Sequence, residues 1–190
     1  MIPSNAGFID KNITYPIANL FVDHLHNIGL TPNMVTTITL LLRGISLYYL
    51  WNKKFNILVI LLYILSWITD ALDGSIARKF NMKTKYGGLY DLFVDWITFF
   101  SCMIIIYKHY YENNKTIFAY YLLFFAISNL IMSLKLICSK EKQNMKFWEK
   151  IIYKMYSLNC KYTTIYKLFD PGFCYLVWIS FLAYTLFKYN

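Results

Sequence analysis

The chain consists mainly of long apolar runs separated by short polar stretches. Four runs are long enough to cross a bilayer, since a membrane-spanning helix needs about 20 mostly apolar residues. They cover residues 34–51, 55–72, 89–107 and 116–137. A further run at 172–187 is shorter and is sufficient for a thin bilayer. The pattern therefore predicts an all-α integral membrane protein, a bundle with at least five transmembrane helices.

Residues 1–30 form a separate N-terminal segment in this pattern. Apolar residues recur there at helical spacing with polar residues between them, which predicts an amphipathic helix at the membrane interface. They are Ile13, Ile17, Leu20, Phe21 and Leu25. Because charged residues interrupt the segment, we expect no cleavable signal peptide. The transmembrane domain then comprises residues 31–190.

Residues 138–171 mix many lysines with aromatic and aliphatic residues. This mixture is typical of an amphipathic helix at the interface, and also of a polar-faced sixth span that lines a cavity. We favour the interfacial helix. The bundle then has five spans, or six if the segment crosses the membrane.

Composition and charge agree with a membrane protein that binds no nucleic acid. Hydrophobic residues make up 58% of the chain and charged residues 15%, whereas soluble domains average about 45–50% and about 25%. The net charge is +9. The basic residues lie beside apolar runs and form no nucleic-acid-binding motif, so anionic lipid headgroups are the expected partners.

The distribution of basic residues predicts the orientation. With the N-terminus inside and five spans, thirteen Lys and Arg residues fall on the inner side and five on the outer side. Cytoplasmic segments normally hold this excess, so the loop at 78–88 is predicted to face the cytoplasm. Aromatic residues near the span ends predict an interfacial belt: Tyr48, Trp51, Trp67 and Tyr107.

Four aspartates lie where the second and third spans meet this loop. Asp70 and Asp73 are spaced i, i+3, and Asp91 and Asp95 are spaced i, i+4, so each pair shares one helical face. Placing carboxylates near apolar spans costs free energy, and the carboxylates repel one another unless a cation compensates their charge. Oxygen ligands of this kind suit Mg²⁺ or Mn²⁺. The spacing predicts a divalent-metal site, with two ions for four carboxylates.

The residues beside these aspartates fit a phosphate-containing substrate. Gly74, Gly87 and Gly88 lack side chains where another group must approach the backbone closely. Ala77 lies on the face of Asp70 and Asp73, and Arg78 offers a planar fork suited to phosphate.

At these positions the chain resembles the CDP-alcohol phosphatidyltransferase family. The family signature is D-x-x-D-G-x-x-A-R, eight residues, then G-x-x-x-D-x-x-x-D. All of its defined positions match at the right spacing, from residue 70 to residue 95: Asp70, Asp73, Gly74, Ala77, Arg78, Gly87, Asp91 and Asp95. Family members have about six spans, with the signature bridging the second and third, and this chain has the same placement. Only the polar stretch at 138–171 departs from the family pattern.

The resemblance implies transfer of a phosphatidyl-type group from a CDP-linked lipid, such as CDP-diacylglycerol, to a small alcohol acceptor, with release of CMP. Asp70, Asp73 and Asp91 would bind the metal ions, with Asp95 near the metals and also acting as the base. Gly74, Ala77 and Arg78 would contact the CDP moiety. A homodimer stays open.

Three residues at the start of the first span allow two interpretations. The family commonly has P-N-x-x-T here, matched by Pro32, Asn33 and Thr36, which would help to close the nucleotide pocket. Thr31 followed by Pro32 is also an ordinary helix N-terminus, with a capping residue and a proline at the first helical position.

Two basic residues are candidates for contacts to the acceptor or to a phosphate. Arg43 lies within the first span and must pair with a carboxylate, bind a phosphate or face a wet cavity. Lys135 lies near the inner end of the fourth span, where a lysine commonly extends its charge to the interface.

Two other classes of function also agree with parts of the sequence. An intramembrane divalent-cation carrier or channel explains the aspartates and spans but not Arg78 or the glycines. A catalytically inactive membrane scaffold explains the spans but gives no reason for an intact signature. Within the transferase class, inositol or its phosphate, glycerol phosphate, serine and amino alcohols all remain candidate acceptors.

Overall fold

The computed structural model describes most of the chain as helix. The described residues are 6–52, 56–110, 171–189, 115, 116, 119, 120, 122–124, 126 and 127. No strand occurs among them, in agreement with the predicted all-α class. The predicted fourth span is described only as far as residue 127, and its described residues are helical. Lys135 and, apart from Pro171, the segment 138–171 lie outside the described residues.

Five helices account for the continuous ranges. A π-helical turn at Asp10–Thr14 leads directly into the first of them. The helices are α1 (Tyr15–Asn27), α2 (Pro32–Trp51), α3 (Ile57–Lys79), α4 (Lys85–Tyr110) and α5 (Pro171–Tyr189).

Side-chain caps fix the starts of α2, α3 and α4. The hydroxyl of Thr31 accepts a hydrogen bond from the backbone N–H of Met34 (3.4 Å), so the capping interpretation is confirmed. Asn56 accepts from the N–H of Leu58 (3.1 Å), and Thr84 accepts from the N–H of Gly87 (2.9 Å). Each cap satisfies an N–H group that has no partner within its own helix.

The helices α1 and α3 end in the same kind of turn. Gly29 (φ 87°) and Asn81 (φ 54°) adopt the left-handed conformation just after each helix. The next residue's N–H then bonds back to a helix carbonyl, from Leu30 to Leu25 (3.1 Å) and from Met82 to Ala77 (3.0 Å). Glycine and asparagine are the residues that best tolerate this conformation.

Three of the described helices are long and apolar enough to cross a membrane. They are Pro32–Trp51, Ile57–Lys79 and the Lys85–Lys108 part of α4, with a shorter apolar helix at Gly172–Tyr184. α3 and α4 extend past the predicted runs 55–72 and 89–107 and carry the whole acidic signature on regular helix.

The N-terminal helix α1 packs on α3 through its smaller residues. Ala18 and Val22 are buried, and Leu25 packs against them. The other predicted apolar residues of this segment are exposed: Ile13, Ile17, Leu20 and Phe21. This outward apolar face is compatible with an interfacial helix, whose position at a membrane stays a prediction.

Two apolar clusters hold the bundle together and leave a polar layer between them. One joins the end of α2 to α3, α4 and α5 around Leu50, Val59 and Leu182. The other joins α1, α2 and the end of α3 around Val22, Val35 and Ile76. Along α2, the charged Arg43 falls between Val35 of the second cluster and Leu50 of the first.

The predicted aromatic belt is wrong at one residue. Tyr48, Trp51 and Tyr107 are exposed, as the prediction requires, but Trp67 is buried. Its ring stacks on that of Tyr175 from α5, with centroids 6.1 Å apart and planes 10° apart. An aromatic residue in an apolar span looks the same in sequence whether lipid or another helix covers it.

Candidate active site

Three of the four signature aspartates converge between α3 and α4. One carboxylate oxygen from each of Asp70, Asp91 and Asp95 lies within 4.8 Å of the others. The i, i+4 spacing on α4 directs Asp91 and Asp95 toward the same side, and Asp70 of α3 meets them there. Such mutual proximity of carboxylates is unfavourable without positive charge between them.

Asp73 lies one turn further along α3 and is held separately. Its side chain is buried, and its Oδ2 accepts a hydrogen bond from the hydroxyl of Thr36 on α2 (2.5 Å). Thr36, a predicted contact of the CDP moiety, therefore anchors a signature carboxylate. This bond fixes the second aspartate of the signature against α2.

Arg43 supplies positive charge inside the cluster. Its guanidinium donates from Nη1 to Asp95 Oδ1 (2.5 Å) and from Nη2 to Asp70 Oδ1 (2.9 Å). Nη2 also donates to the hydroxyl of Tyr175 on α5. Of the alternatives open for Arg43 in the sequence, the structure has the pairing with signature aspartates.

The polar face of α2 includes Thr39 and Ser46, to which the sequence analysis assigned no role. Thr36, Thr39, Arg43 and Ser46 are all buried on the face toward α3 and α4. Thr39 donates to the hydroxyl of Thr69 on α3 (2.8 Å). These positions are separated by three, four and three residues, a spacing that places them on one side of a helix. This spacing is the sequence signal from which the face could be predicted.

Thr98 and Tyr175 complete the surroundings of Arg43. Thr98 lies one turn after Asp95, and its hydroxyl accepts a hydrogen bond from Arg43 Nη1 (3.5 Å). Its i, i+3 spacing from Asp95 is a sequence signal from which this position could be predicted. Tyr175 lies 132 positions from Arg43 in the sequence and has no such local signal.

The signature arginine lies at the end of α3 beside α1. Nη2 of Arg78 donates to the hydroxyl of Ser75 (3.3 Å), and its guanidinium lies over the Tyr15 ring, 5.2 Å from the centroid. A Cβ on Gly74 would lie 3.0 Å from Arg78 Nη1, so this glycine makes room for the guanidinium. Burial raises the pKa of the Tyr15 hydroxyl, and the nearby Arg78 opposes that rise.

The signature glycine of α4 touches the start of α2. A Cβ on Gly87 would lie 2.9 Å from Asn33 Oδ1 and from Thr84 Oγ1. Next to it, a Cβ on Gly88 would have no atom of the described residues within 4 Å, so within the described part of the chain only Gly87 is approached closely by a side chain of another helix. Ala77 is half-buried between Gly74 and the end of α3.

The carboxylate cluster has the chemistry of a hard-cation site. Every group in it offers oxygen, which suits Mg²⁺ or Mn²⁺. Asp91 Oδ1 is buried, and no hydrogen-bond partner for it exists among the described residues. Buried carboxylate oxygens normally have a partner, so this atom is available as a ligand for a cation.

Comparison with known proteins places the chain in a family. Residues 29–186 match the family model of CDP-alcohol phosphatidyltransferases. The chain belongs to this family. Its membership and the three apolar helices together make it a helical integral membrane protein.

Individual relatives from this family carry two different acceptors in their names. A CDP-diacylglycerol–glycerol-3-phosphate 3-phosphatidyltransferase of Aquifex aeolicus is 27% identical over 168 residues, covering 82% of this chain and 93% of that protein. The corresponding enzyme of Rickettsia felis is 34% identical over 77 residues, 40% of this chain and 42% of that protein. A probable CDP-diacylglycerol–inositol 3-phosphatidyltransferase 2 of Arabidopsis thaliana is 32% identical over 83 residues, 44% of this chain and 36% of that protein. The match thus spans less than half of the length of the latter two relatives.

Proposed function

We propose that this protein transfers a phosphatidyl-type group from a CDP-linked lipid, such as CDP-diacylglycerol, to a hydroxyl acceptor and releases CMP. The observation that carries the proposal is the convergence of Asp70, Asp91 and Asp95 within 4.8 Å, inside the complete family signature. Phospholipid biosynthesis is the process in which such a transfer belongs.

The four signature aspartates would hold the divalent ions. Asp70, Asp73 and Asp91 are the proposed ligands, with Asp95 near the metals, and two Mg²⁺ or Mn²⁺ ions are the proposed complement. When bound, these ions screen the pyrophosphate charge and favour departure of CMP. The buried and unpartnered Asp91 Oδ1 supports this assignment among the described residues.

Asp95 is the proposed base. Its side chain keeps 42% of its surface exposed, so an acceptor hydroxyl can approach it, whereas Asp70 keeps 24%. Arg43 bonds to its Oδ1 and orients the carboxylate. Asp95 then takes the proton from the acceptor hydroxyl as the hydroxyl oxygen attacks the lipid-linked phosphorus.

The CDP moiety would lie between the ends of α2, α3 and α4. Gly74, Ala77 and Arg78 on α3, with Asn33 and Thr36 on α2, are its proposed contacts. Arg78 can bind phosphate through its planar fork, and Tyr15 holds the guanidinium from the α1 side. Gly87, which has no side chain, leaves room for Asn33 at the α4 side.

The acceptor is the part of the function that an experiment must identify. Purified protein would be incubated with radiolabelled CDP-diacylglycerol, Mg²⁺ and one acceptor at a time: inositol, inositol phosphate, glycerol 3-phosphate, serine or an amino alcohol. We expect CMP release and a labelled lipid product with one of them. If no acceptor in the panel gives Mg²⁺-dependent CMP release, the proposal fails.

The two adjacent glycines of α4 offer a matched test of the nucleotide pocket. Gly87→Ala forces Asn33 and Thr84 to move, so we expect kcat/KM for the CDP-lipid to fall by about tenfold. Gly88→Ala meets open space, and in a helix this change is neutral or stabilising by about 0.5–1 kcal/mol. Initial rates over a range of donor concentrations, with thermal unfolding as the control, separate the two variants. Equal kinetics in both would exclude Asn33 as a donor contact.

The proposed orientation has the N-terminus and the loop after α3 in the cytoplasm. The active site then binds the CDP-linked lipid from the cytoplasmic side of the membrane. In a variant without its native cysteines, Lys83→Cys should react with an impermeant reagent from the cytoplasmic side alone, because the excess of lysine lies there. Asn52→Cys, at the opposite end of α2, should react from the other side; both residues are exposed. The reverse labelling pattern would show that the protein has the opposite orientation.

Assembly as a homodimer also stays a prediction.

A further inference from the structure

Arg43 is buried to an unusual degree for a charged residue within an apolar span. Its side chain is 2% exposed, and it lies in the middle of α2 between the two apolar clusters. A buried charge persists only where other groups compensate it. Its compensation here comes from three different helices: Asp70 on α3, Asp95 on α4 and Tyr175 on α5.

The carboxylates that pair with Arg43 are two of the three that converge. A guanidinium and a divalent cation both bind by attraction to carboxylate oxygens, so a positive charge held against Asp70 and Asp95 repels a cation bound beside it. Asp70 Oδ1 and Asp95 Oδ1 already contact Arg43. By contrast, Asp91 Oδ1 has no partner among the described residues. The cluster is therefore divided into a part that Arg43 neutralises and a part that it leaves for a cation.

We infer that Arg43 is an internal counter-ion that competes with divalent cations for Asp70 and Asp95 and so lowers the cation affinity of the site. The inference rests on the proposed metal-dependent function. It assigns Arg43 a positioning role through the aspartates, rather than the direct contact with a phosphate or acceptor that the sequence also allowed.

The direction in which cation affinity changes when Arg43 is replaced distinguishes this role from a purely structural one. Loss of a structural ion pair disturbs the cluster and weakens cation binding. Loss of a competing counter-ion removes a positive charge next to the cation and frees two carboxylates, so binding becomes tighter. Without cations, the same variant leaves Asp70 and Asp95 uncompensated and should unfold at a lower temperature.

The test is Mn²⁺ binding to the purified full-length protein in detergent, with free Mn²⁺ measured by electron paramagnetic resonance. Arg43→Met keeps most of the side-chain length and removes the charge, and we expect its Kd for Mn²⁺ to fall by about tenfold or more. The matched control is Lys79→Met, which removes a lysine that is 44% exposed and pairs with Asp23 on the surface. Its Kd should equal that of the wild type. Mn²⁺ should also raise the Tm of Arg43→Met by more than it raises that of the wild type.

A second variant covers the case in which Arg43→Met does not fold. Tyr175→Phe keeps every charge and removes the hydroxyl that accepts from Arg43 Nη2. A less restrained guanidinium competes less well, so the Kd for Mn²⁺ should fall by about threefold. An unchanged or higher Kd in Tyr175→Phe, or in a folded Arg43→Met, overturns the inference.

CMP release measured on the same preparations separates this inference from the proposed function. A wild type that transfers the lipid group, together with an unchanged Kd in Arg43→Met, overturns the counter-ion alone. A wild type that binds Mn²⁺ but transfers to none of the acceptors overturns the proposed function, while a tighter Kd in Arg43→Met would still support the competition.

Discussion

Replacing Asp95 with asparagine is expected to reduce CMP release by at least about 100-fold, because a general base contributes about 10²–10⁴ to the rate. The amide keeps the size of the side chain and can still accept a hydrogen bond from Arg43, but it does not take a proton. Binding of the CDP-lipid should survive better than turnover. Saturating Mg²⁺ should not restore the rate, because the missing group is the base. Turnover with the true acceptor and equilibrium binding of the donor are the two measurements.

The matched control for this variant is Asp23→Asn. Asp23 is an exposed carboxylate on α1 that pairs with Lys79 (2.6 Å), and the change alters the same atoms away from the cluster. Exposed pairs of this kind contribute about 0–1 kcal/mol, so turnover and stability should stay near wild type. If Asp95→Asn releases CMP at close to the wild-type rate, another group takes the proton.

Asp70→Asn should instead affect metal and nucleotide binding together. Loss of a residue that only supports a metal ligand costs about 10–100-fold in affinity, so loss of a proposed ligand should cost at least about tenfold. The Mg²⁺ concentration for half-maximal CMP release should rise accordingly, and the KM for the CDP-lipid should rise with it. High Mg²⁺ should restore part of the activity, in contrast to Asp95→Asn.

The two aspartate variants are distinguished by this Mg²⁺ dependence. An Asp70→Asn protein with an unchanged Mg²⁺ requirement and a reduced maximal rate would show that Asp70 does not bind the metal. In that case the pairing with Arg43 (2.9 Å) would be the main role of Asp70.

The three long apolar helices α2, α3 and α4 could be predicted from the sequence because their apolar runs match the length of a span. The polar ends of α3 and α4 were harder to predict, since hydropathy falls at Asp70 and Gly87 although the helix continues. Local capping sets these ends. The left-handed Asn81 closes α3, and the Thr84 side chain opens α4.

The convergence of Asp70, Asp91 and Asp95 could also be predicted in part, because the i, i+4 spacing of Asp91 and Asp95 fixes a shared helical face. The i, i+3 spacing of Asp73 from Asp70 did not reveal its separate bond to Thr36. The partners of Arg43 could not be predicted, since the spacing of residues within α2 does not indicate which residues of α3, α4 and α5 face Arg43. Tyr175 and Trp67 illustrate the same limit. Their stacked contact joins two helices that are distant in sequence, and the sequence pattern cannot distinguish it from contact with lipid.

Arg43 also bears on the rival function of a cation carrier or channel. A buried guanidinium bonded to Asp70 and Asp95 places a fixed positive charge among the carboxylates that would bind the transported ion. Such a charge opposes passage of a cation, as arginines do in selective pores. The structure therefore favours a site in which cations are bound to act on a substrate over a path through which they move.

The proposed function requires that the aspartate cluster supports lipid-group transfer. The most direct measurement uses purified protein in liposomes with CDP-diacylglycerol, Mg²⁺ and the acceptor panel, and follows CMP release and divalent-cation flux in the same vesicles. We expect CMP release that needs Mg²⁺ and an acceptor, is lost in Asp95→Asn, and occurs without cation flux. Cation flux that needs Asp70 and Asp95, with no CMP release from any donor and acceptor pair, would contradict it.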